Sequence, residues 1–435
     1  MPQGNQPPRT TAAEVPRRAW TTRRGAALCW VLIVVASVAT SVSVASAGTI
    51  ASTAAPTCAW QERVSADTRN VFLPDSAATY WVQRFEVRRD LRITLSGQYP
   101  DARYASFNVY DGSRGSFSSN GVSSAIADHR IAADPGSVNP WQQSAAPGGR
   151  FTVTLRMDVS PSQGNTLPLA PADAAEGGTG YLIYRVYLPA GGDPSTVVLP
   201  TVTLHQGGAS QTLPQCDAAG RDSGGDQAGT TESRLPDAGQ TGFARLAETN
   251  SVFPNADNAY LAAWVDPPGV GEVVVVRARA PQAATGTHPT PWPVPGADLR
   301  YWSMCTNLRH PLLPVVVNRL PSGEVDYGCR HDDVTRLDSS GQYTYVIGTE
   351  SQRAAIERVP TVTFLPFSTA QPNAPHLVLL RNMLAVPGFA QAVQNVPQDG
   401  RPESAAAVMG PYYPRVATCS LRTLTADGPA GCPTG

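Results

Sequence analysis

The sequence predicts an all-β fold of two tandem antiparallel β-sandwich domains, of jelly-roll type, after an N-terminal signal or anchor helix. Three observations carry this prediction. Short segments alternate between apolar and polar residues, as in strands with one face on a core and the other in water. Glycine (38) and proline (40) are frequent, as expected where many turns join strands. Finally, the same blocks of residues occur twice in the same order.

The duplication is clearest in one block. Residues 101–107 read Asp-Ala-Arg-Tyr-Ala-Ser-Phe, and residues 298–304 read Asp-Leu-Arg-Tyr-Trp-Ser-Met. Flanking blocks match too: Asn70, Pro74 and Tyr80 against Asn250, Pro254 and Tyr260, then 149–153 against 341–345, and 182–185 against 378–381. A repeat of roughly 200 residues is a duplicated domain rather than a solenoid unit. The predicted domains are residues 58–216 and 241–418, joined by a flexible polar linker at 217–240.

The strands of the first domain follow from period-two alternation. Residues 91–96 place Leu91, Ile93 and Leu95 on one face, and residues 151–157 alternate in the same way. Further strands are predicted at 81–87, 104–110, 182–188 and 197–204, with Gly, Pro and Asp turns between them. At least six strands without a long helix favour a sandwich or jelly roll.

The second domain adds three features. The apolar run 273–278 predicts a strand covered on both faces. Residues 281–297 form a Pro-rich insertion that the first domain lacks. A brief helix is predicted at 387–394, because Phe389, Val393 and Val396 have helical spacing, and the tail 419–435 is predicted to be loop.

The N-terminus predicts export. Residues 1–24 are basic and polar, and residues 25–47 are apolar and end in Ala45-Ser46-Ala47, as in a secretory signal. The apolar segment is also about as long as the ~20 residues of a membrane-spanning anchor, so cleavage and anchoring both stay open. Either outcome leaves the rest of the chain outside the cytoplasm, with membrane contact only through this segment.

Charge and cysteine content support this location. With a net charge of −1, the chain has no excess of positive charge that would attract nucleic acid. All 33 basic residues are arginine, which suggests a GC-rich, actinobacterial source. Six cysteines follow residue 47; of the fifteen pairings that six allow, the repeat boundaries favour Cys58–Cys216, Cys305–Cys329 and Cys419–Cys432. Their spacing matches no zinc site, so neither a metal nor a cofactor is predicted.

Three segments of the first domain, 104–111, 165–168 and 182–189, resemble the bacterial domain-of-unknown-function family 1214, often found beside family 1254. The resemblance covers most of residues 70–200 and, more faintly, 250–400. It implies tandem jelly-roll-like sandwiches and no settled biochemistry. The chain departs from the family at Thr166, where an aromatic residue is expected, and the second copy has Thr306-Asn307 where the first has Tyr110-Asp111.

The candidate polar site lies in the duplicated blocks. Asp101 with Arg103, and Asp298 with Arg300, are interpreted as an anion or carbohydrate clamp or, in the favoured interpretation, as turn caps and strand-entrance pairs. Arg185, and Arg381 in the second copy, share a strand face with apolar residues. If that face is buried, Arg185 needs a partner, for which Asp101 and Asp111 are the first candidates.

A second cluster stands next to Cys329. His331 and Asp332 are candidates for a metal or acid–base group, but adjacent strand residues point to opposite faces, so a solvated loop is favoured. Ser106 and Ser303 recur without a base nearby in the sequence, and no hydrolase or phosphate-binding motif is present.

These observations predict an extracytoplasmic cell-envelope protein that serves as a binding or structural module. Its partners would be envelope polysaccharide, lipid or another envelope protein. The alternative is a secreted hydrolase that acts on esters or glycans in a cleft between the domains, where pockets are common.

Overall fold

The computed structural model describes residues 56–217, 241–245 and 252–432. The predicted basic flank, the apolar segment 25–47 and nearly all of the predicted linker 217–240 lie outside the described residues. Within the described part of the chain, no helix has both the length and the apolar character needed to cross a bilayer. The secondary structure is mostly β, in agreement with the predicted all-β class.

The first half contains twelve strands, which form two five-stranded sheets and one two-stranded hairpin. The strands are β1 (Glu62–Val64), β2 (Ala78–Glu86), β3 (Arg92–Gln98), β4 (Ala102–Tyr110), β5 (Ser118–Ser119), β6 (Val122–Ser123), β7 (Ala125–Ala127), β8 (Arg150–Arg156), β9 (Thr166–Pro168), β10 (Thr179–Pro189), β11 (Thr201–Gln206) and β12 (Ala209–Thr212). The large sheets have the orders β1-β2-β10-β4-β7 and β12-β11-β3-β8-β9. All pairs in them are antiparallel except β8 with β9.

The described residues of the second half, 241–245 and 252–432, contain ten strands and three short α-helices. The strands are β13 (Asn258–Val265), β14 (Glu272–Arg279), β15 (Leu299–Leu308), β16 (Val317–Arg319), β17 (Val325–Tyr327), β18 (Cys329–His331), β19 (Gln342–Gly348), β20 (Val362–Pro366), β21 (His376–Ala385) and β22 (Arg415–Ser420). The helices are α1 (Glu350–Ile356), α2 (Pro402–Met409) and α3 (Leu421–Asp427). The sheets have the orders β13-β21-β15-β18 and β20-β19-β14-β22, again with one parallel pair, β19 with β20.

The two halves have the same strand order and the same register. The set β2-β10-β4-β7 corresponds to β13-β21-β15-β18, and β11-β3-β8-β9 corresponds to β22-β14-β19-β20. Arg185 lies opposite Ser106 in the first half, as Arg381 lies opposite Ser303 in the second. The sequence repeat is therefore also a repeat of topology.

Each half has its own main core. Alternating residues of β3 and β8, such as Ile93, Leu95 and Val153, are fully buried together with residues of β2, β4 and β10. A second cluster joins β13, β14, β15, β19 and β21. The strand β14 is covered on both faces, as predicted: Val274 and Val276 face this second core, while Val273 and Val275 pack with residues of α1 and α3.

Two local predictions were wrong. Residues 387–394 do not form a helix; one short 3₁₀ turn, Val393–Asn395, follows a series of turns, although Phe389 and Val393 are buried. The tail is not a loop, because β22 runs to Ser420 and α3 follows directly. The Ser420 side chain caps α3 by accepting a hydrogen bond from the Thr423 amide, and Leu424 packs into the cluster behind β14.

Three disulfide bonds join Cys58 to Cys216, Cys305 to Cys329 and Cys419 to Cys432, which are the pairings expected from the repeat boundaries. The first closes almost the whole of the first half, and a loop of that length removes about 5 kcal/mol of chain entropy from the unfolded state in the simplest model. The second joins the adjacent strands β15 and β18 at directly opposed positions.

Candidate functional site

The duplicated arginines meet at the junction of the two halves. Arg103 and Arg300 lie on the equivalent strands β4 and β15, Arg185 and Arg381 lie on β10 and β21, and all four are buried. Each guanidinium contacts residues of the other half, as described below. A small apolar cluster, which includes Tyr104 and Tyr187 from one half and Tyr301 from the other, fills the space between them.

Arg103 and Arg300 make reciprocal ion pairs. Arg103 binds Asp332 at 2.5 Å and also contacts Asp333, whereas Arg300 binds Asp128 at 2.8 Å. Asp128 and Asp332 are equivalent. Each directly follows a short strand, β7 or β18, that pairs with the arginine-bearing strand of its own half, β4 or β15. The Asp128 carboxylate accepts the Ala105 amide at 2.6 Å, and Asp332 accepts the Trp302 amide at 3.2 Å. The two carboxylates are thus held alike by backbone donors.

Aromatic rings surround Arg300. The guanidinium lies 5.8 Å from the Tyr104 ring, 5.6 Å from the Trp141 ring and 5.6 Å from the Trp292 ring. Trp292 belongs to the Pro-rich insertion, and its amide donates to the Trp141 carbonyl at 2.8 Å. The insertion therefore bridges to the first half and helps to exclude water from the Arg300–Asp128 pair.

The predicted pairs of Asp101 with Arg103 and Asp298 with Arg300 are not formed. Asp101 is partly exposed and lies 2.7 Å from the His288 Nδ1 of the insertion. Asp298 accepts the Gln282 amide at 2.9 Å, so its carboxylate joins the two ends of the Pro-rich insertion. Both aspartates precede their strands at the surface, whereas the arginines point into the junction, where buried carboxylates of the other half are available.

Arg185 and Arg381 also cross the junction. Arg185 donates to the Phe253 carbonyl at 2.7 Å, and Arg381 donates to the Leu73 carbonyl, the equivalent position, at 2.6 Å. The strand face of Arg185 is buried, so the condition under which it needs a partner is met, but neither Asp101 nor Asp111 is that partner. Its second partner is the Tyr110 hydroxyl at 2.6 Å.

The surroundings of Arg381 and Arg185 differ at residue 75 and at its equivalent, residue 255. The Asp75 carboxylate is fully buried, lies 3.5 Å from Arg381, and accepts the hydroxyls of Tyr301 at 2.8 Å and Ser303 at 2.6 Å. The equivalent of Asp75 is Asn255, which has no charge. Burial and the nearby Asp75 charge raise the pKa of Tyr301 well above its usual value, so its phenol is a neutral donor at physiological pH.

His331 and Asp332 do not lie in a solvated loop. The Asp332 side chain is only 6% exposed because it pairs with Arg103. His331, Asp332 and Asp333 bring their ligand atoms within 4.8 Å of one another, close enough for a metal. However, both carboxylates already neutralise Arg103, so the arrangement favours an ion pair over a metal site.

The recurring serines are poor candidates for nucleophiles. Ser106 and Ser303 are fully buried. Ser303 donates to Asp75, and Ser106 accepts the Asn108 side-chain amide at 2.9 Å. Within the part of the chain that the structure describes, neither hydroxyl is hydrogen-bonded to a histidine, the usual base in nucleophilic catalysis.

A cavity of about 90 Å³ opens beside Arg185 and Arg381. Its buried lining includes both arginines, Tyr187 and Asn255, and its partly exposed lining includes Arg114. Glu62, Arg69 and Arg84 also line it. Apolar and aromatic residues form most of the remaining wall, among them Val64, Val71, Phe72, Tyr80, Val82, Tyr181, Ile183, Phe253 and Tyr260. Burial raises the pKa of Tyr260 to about 12, so this phenol is neutral at physiological pH.

Sequence reasoning found Arg185 and Arg381 of this cavity but missed Arg69, Arg84, Arg114 and Asn255. The signal was present in the repeat, because alignment of Asn70, Pro74 and Tyr80 with Asn250, Pro254 and Tyr260 places Asp75 against Asn255. A charged residue that changes to a neutral one between two copies marks a place where their chemistry differs.

The sequence matches no protein-family model, and no curated protein is similar to it. Solved structures give weak matches. A putative uncharacterized protein from Burkholderia cenocepacia has 12% identity and a TM-score of 0.49 over 84% of this chain and 82% of its own. The VPA0106 protein from Vibrio parahaemolyticus has 11% identity and a TM-score of 0.41 over 80% of this chain and 90% of its own.

Proposed function

We propose that the chain is an extracytoplasmic cell-envelope protein in which two tandem β-sandwich domains form one binding module without catalytic machinery. In this proposal, residues 25–47 direct export and are then either removed or retained as the membrane anchor. The resemblance to family 1214 remains part of the proposal. Envelope polysaccharide, lipid or another envelope protein is the expected partner class.

The proposal depends mainly on one observation: the arginines that occur in both copies form contacts between the two halves. Arg103, Arg300 and Arg381 reach carboxylates across the junction, and these pairs are buried. Charges consumed in this way hold two domains in a fixed orientation and leave no acid–base pair for chemistry. Three disulfide bonds support an oxidising compartment, since such bonds are rare in cytosolic proteins.

The proposal is tested by expressing the full chain with its own N-terminus in an actinobacterial host. We expect the protein in the membrane or the medium, with all three disulfide bonds seen by peptide mapping under non-reducing conditions. Reduced Cys58 and Cys216 in a cytoplasmic fraction would contradict export. Intact mass of the recovered protein separates cleavage from anchoring.

The binding role is tested on the same material. Sedimentation with purified envelope polysaccharide and with vesicles of envelope lipid should deplete the protein from solution, whereas the heat-denatured protein should show no saturable depletion. A panel of acyl esters and glycosides is run in parallel. Turnover of any of them that survives repurification would overturn the binding role in favour of a hydrolase.

A further inference from the structure

Arg185 is a buried cation that lacks the counter-charge of its duplicate. Arg381 has the Asp75 carboxylate at 3.5 Å. Arg185 is hydrogen-bonded to a phenol and a carbonyl, both neutral, and no carboxylate in residues 56–217, 241–245 or 252–432 pairs with it. Cation–π contacts with the rings of Tyr80 at 5.4 Å and Tyr110 at 5.5 Å offset part of the cost of this buried charge, but a buried charge is normally paired with a counter-charge.

Asn255 gives an independent indication. Its Oδ1 accepts the Asp257 amide at 3.1 Å, as the Asp75 Oδ1 accepts the Ala77 amide at 3.0 Å. This shared contact orients the Asn255 amide, and its Nδ2 then takes the place of the second carboxylate oxygen of Asp75. That Nδ2 is buried and has no acceptor among the described residues. A donor therefore stands where the other half has an acceptor.

Both groups border the cavity described above, and its charge is strongly positive. The basic residues of the described lining are Arg69, Arg84, Arg114, Arg185 and Arg381, and the acidic residue is Glu62. Glu62 itself is paired with Arg69 and Arg84. In the deeper wall, Asp75 balances the charge of Arg381. The positive charge of Arg185 therefore has no acidic partner among the described residues.

We infer that this cavity binds an organic carboxylate. Its negative charge pairs with Arg185 in the way that the Asp75 carboxylate pairs with Arg381. The planar guanidinium matches a carboxylate, and the Asn255 Nδ2 and the neutral phenols of the wall can donate to its oxygens. The wall of valine, isoleucine and aromatic side chains favours an apolar or aromatic body over a bare inorganic anion.

Size sets a limit on the ligand. A cavity of about 150 Å³ can hold benzene, so the roughly 90 Å³ here encloses the carboxylate and a few carbons. A larger body must extend past the partly exposed Phe253 and Arg114 at the mouth. The inference names the ligand class of the binding module proposed above and rests on that proposal.

The first test is calorimetric titration of the oxidised protein with benzoate, with its neutral isostere benzamide, and with inorganic phosphate. We expect saturable binding of benzoate, at least tenfold weaker binding of benzamide, and no saturable binding of phosphate. Benzoate and benzamide of equal affinity would overturn the anionic site, and phosphate that binds as tightly as benzoate would overturn the organic-carboxylate class.

The second test is the variant Asn255→Asp, which supplies the carboxylate from within. We expect benzoate affinity to fall at least tenfold and the melting temperature without ligand to rise, because Arg185 gains a permanent partner. Asn373→Asp, which adds the same charge at an exposed turn residue outside the cavity lining, should change neither. Retained benzoate binding in Asn255→Asp would overturn the inference.

Arg185→Met keeps the test informative if Asn255→Asp does not fold. This variant removes the guanidinium that the carboxylate would meet, so benzoate binding should be lost, and a circular-dichroism spectrum like that of the wild type shows that the fold is retained. Benzoate binding at wild-type affinity in Arg185→Met would overturn the inference. Export and polysaccharide binding are measured separately. If benzoate does not bind in any of these tests, the results on export and polysaccharide binding are unaffected.

Discussion

Strands β4 and β15 place Arg103 and Arg300 at equivalent positions, and each arginine reaches carboxylates of the other half. Strands β10 and β21 do the same with Arg185 and Arg381, but a carboxylate meets only the second of these arginines in the described chain. The duplication has therefore kept the sheets, the register and the cations, while the counter-charges have diverged. A residue that recurs in both copies does not imply a site that recurs.

The largest expected effect comes from breaking an ion pair in which both side chains are almost completely buried. Arg300 and Asp128 have side-chain exposures of 2% and 1%. In Arg300→Met, Asp128 loses its ion-pair partner where water cannot replace it, so the free energy of unfolding should fall by about 3–5 kcal/mol. Urea denaturation of the oxidised protein measures this change.

The matched control for this prediction is Arg422→Met, which removes an exposed arginine in α3 and should change the free energy of unfolding by no more than about 0.5 kcal/mol. Equal stability of Arg300→Met and Arg422→Met would show that the reciprocal pairs do not hold the halves together.

The next largest effect tests the contrast between residues 75 and 255 directly. Asp75→Asn gives Arg381 the neutral surroundings of Arg185, and Tyr301 and Ser303 lose a charged acceptor. Because hydrogen bonds to charged groups contribute about 1.5–3 kcal/mol, we expect a loss of about 3 kcal/mol in urea denaturation. An unchanged free energy of unfolding in Asp75→Asn would mean that Asp75 is not the counter-charge of Arg381.

A pH effect should arise at His376, which has no histidine counterpart in the first half. His376 on β21 is buried, and burial lowers its pKa to about 4. The equivalent position on β10 is Gly180, where the Phe85 ring leaves no room for a side chain. Below its usual pKa of about 6.5, His376 is protonated in the unfolded state before the folded state, so acid favours unfolding.

The sign and size of this effect follow. The stability contributed by neutral His376 is complete above pH ~6.5 and is lost as the pH falls toward 4; between pH 7 and 5 the loss is about 2 kcal/mol. His376→Gln can make the same two hydrogen bonds without titrating, so its urea midpoint should fall less over this interval. Identical pH dependence in the two proteins would contradict the lowered pKa.

The sequence predicted what depends on local pattern. Alternation predicted strands such as β3 and β8, and the unbroken apolar run of β14 predicted burial on both faces. The duplication predicted that Tyr104 and Tyr301 occupy equivalent strands. Failures occurred where the outcome depends on distant partners: α3 is stabilised by packing behind β14, which its seven residues do not reveal.

The candidate site shows the same division. That Arg185 would need a partner if its strand face were buried followed from its position between Ile183 and Tyr187 on that face. Its partner did not, because Phe253 is 68 residues away and belongs to the other half. Arg103 and Asp332 are 229 residues apart. Strand patterns predict which side chains point inward, but partners across a junction depend on how two sheets pack.

The smallest expected effect comes from the other member of the reciprocal ion pairs. In Arg103→Met, Asp332 and Asp333 lose their partner, but the Asp333 side chain is 25% exposed and can regain water. We therefore expect a loss of about 1–2 kcal/mol, smaller than for Arg300→Met. The loss should shrink further in 0.5 M salt, because screening weakens partly exposed pairs more than buried ones. If Arg103→Met cost as much as Arg300→Met at both salt concentrations, the two pairs would be energetically equal, and the divergence between the halves would be confined to residues 75 and 255.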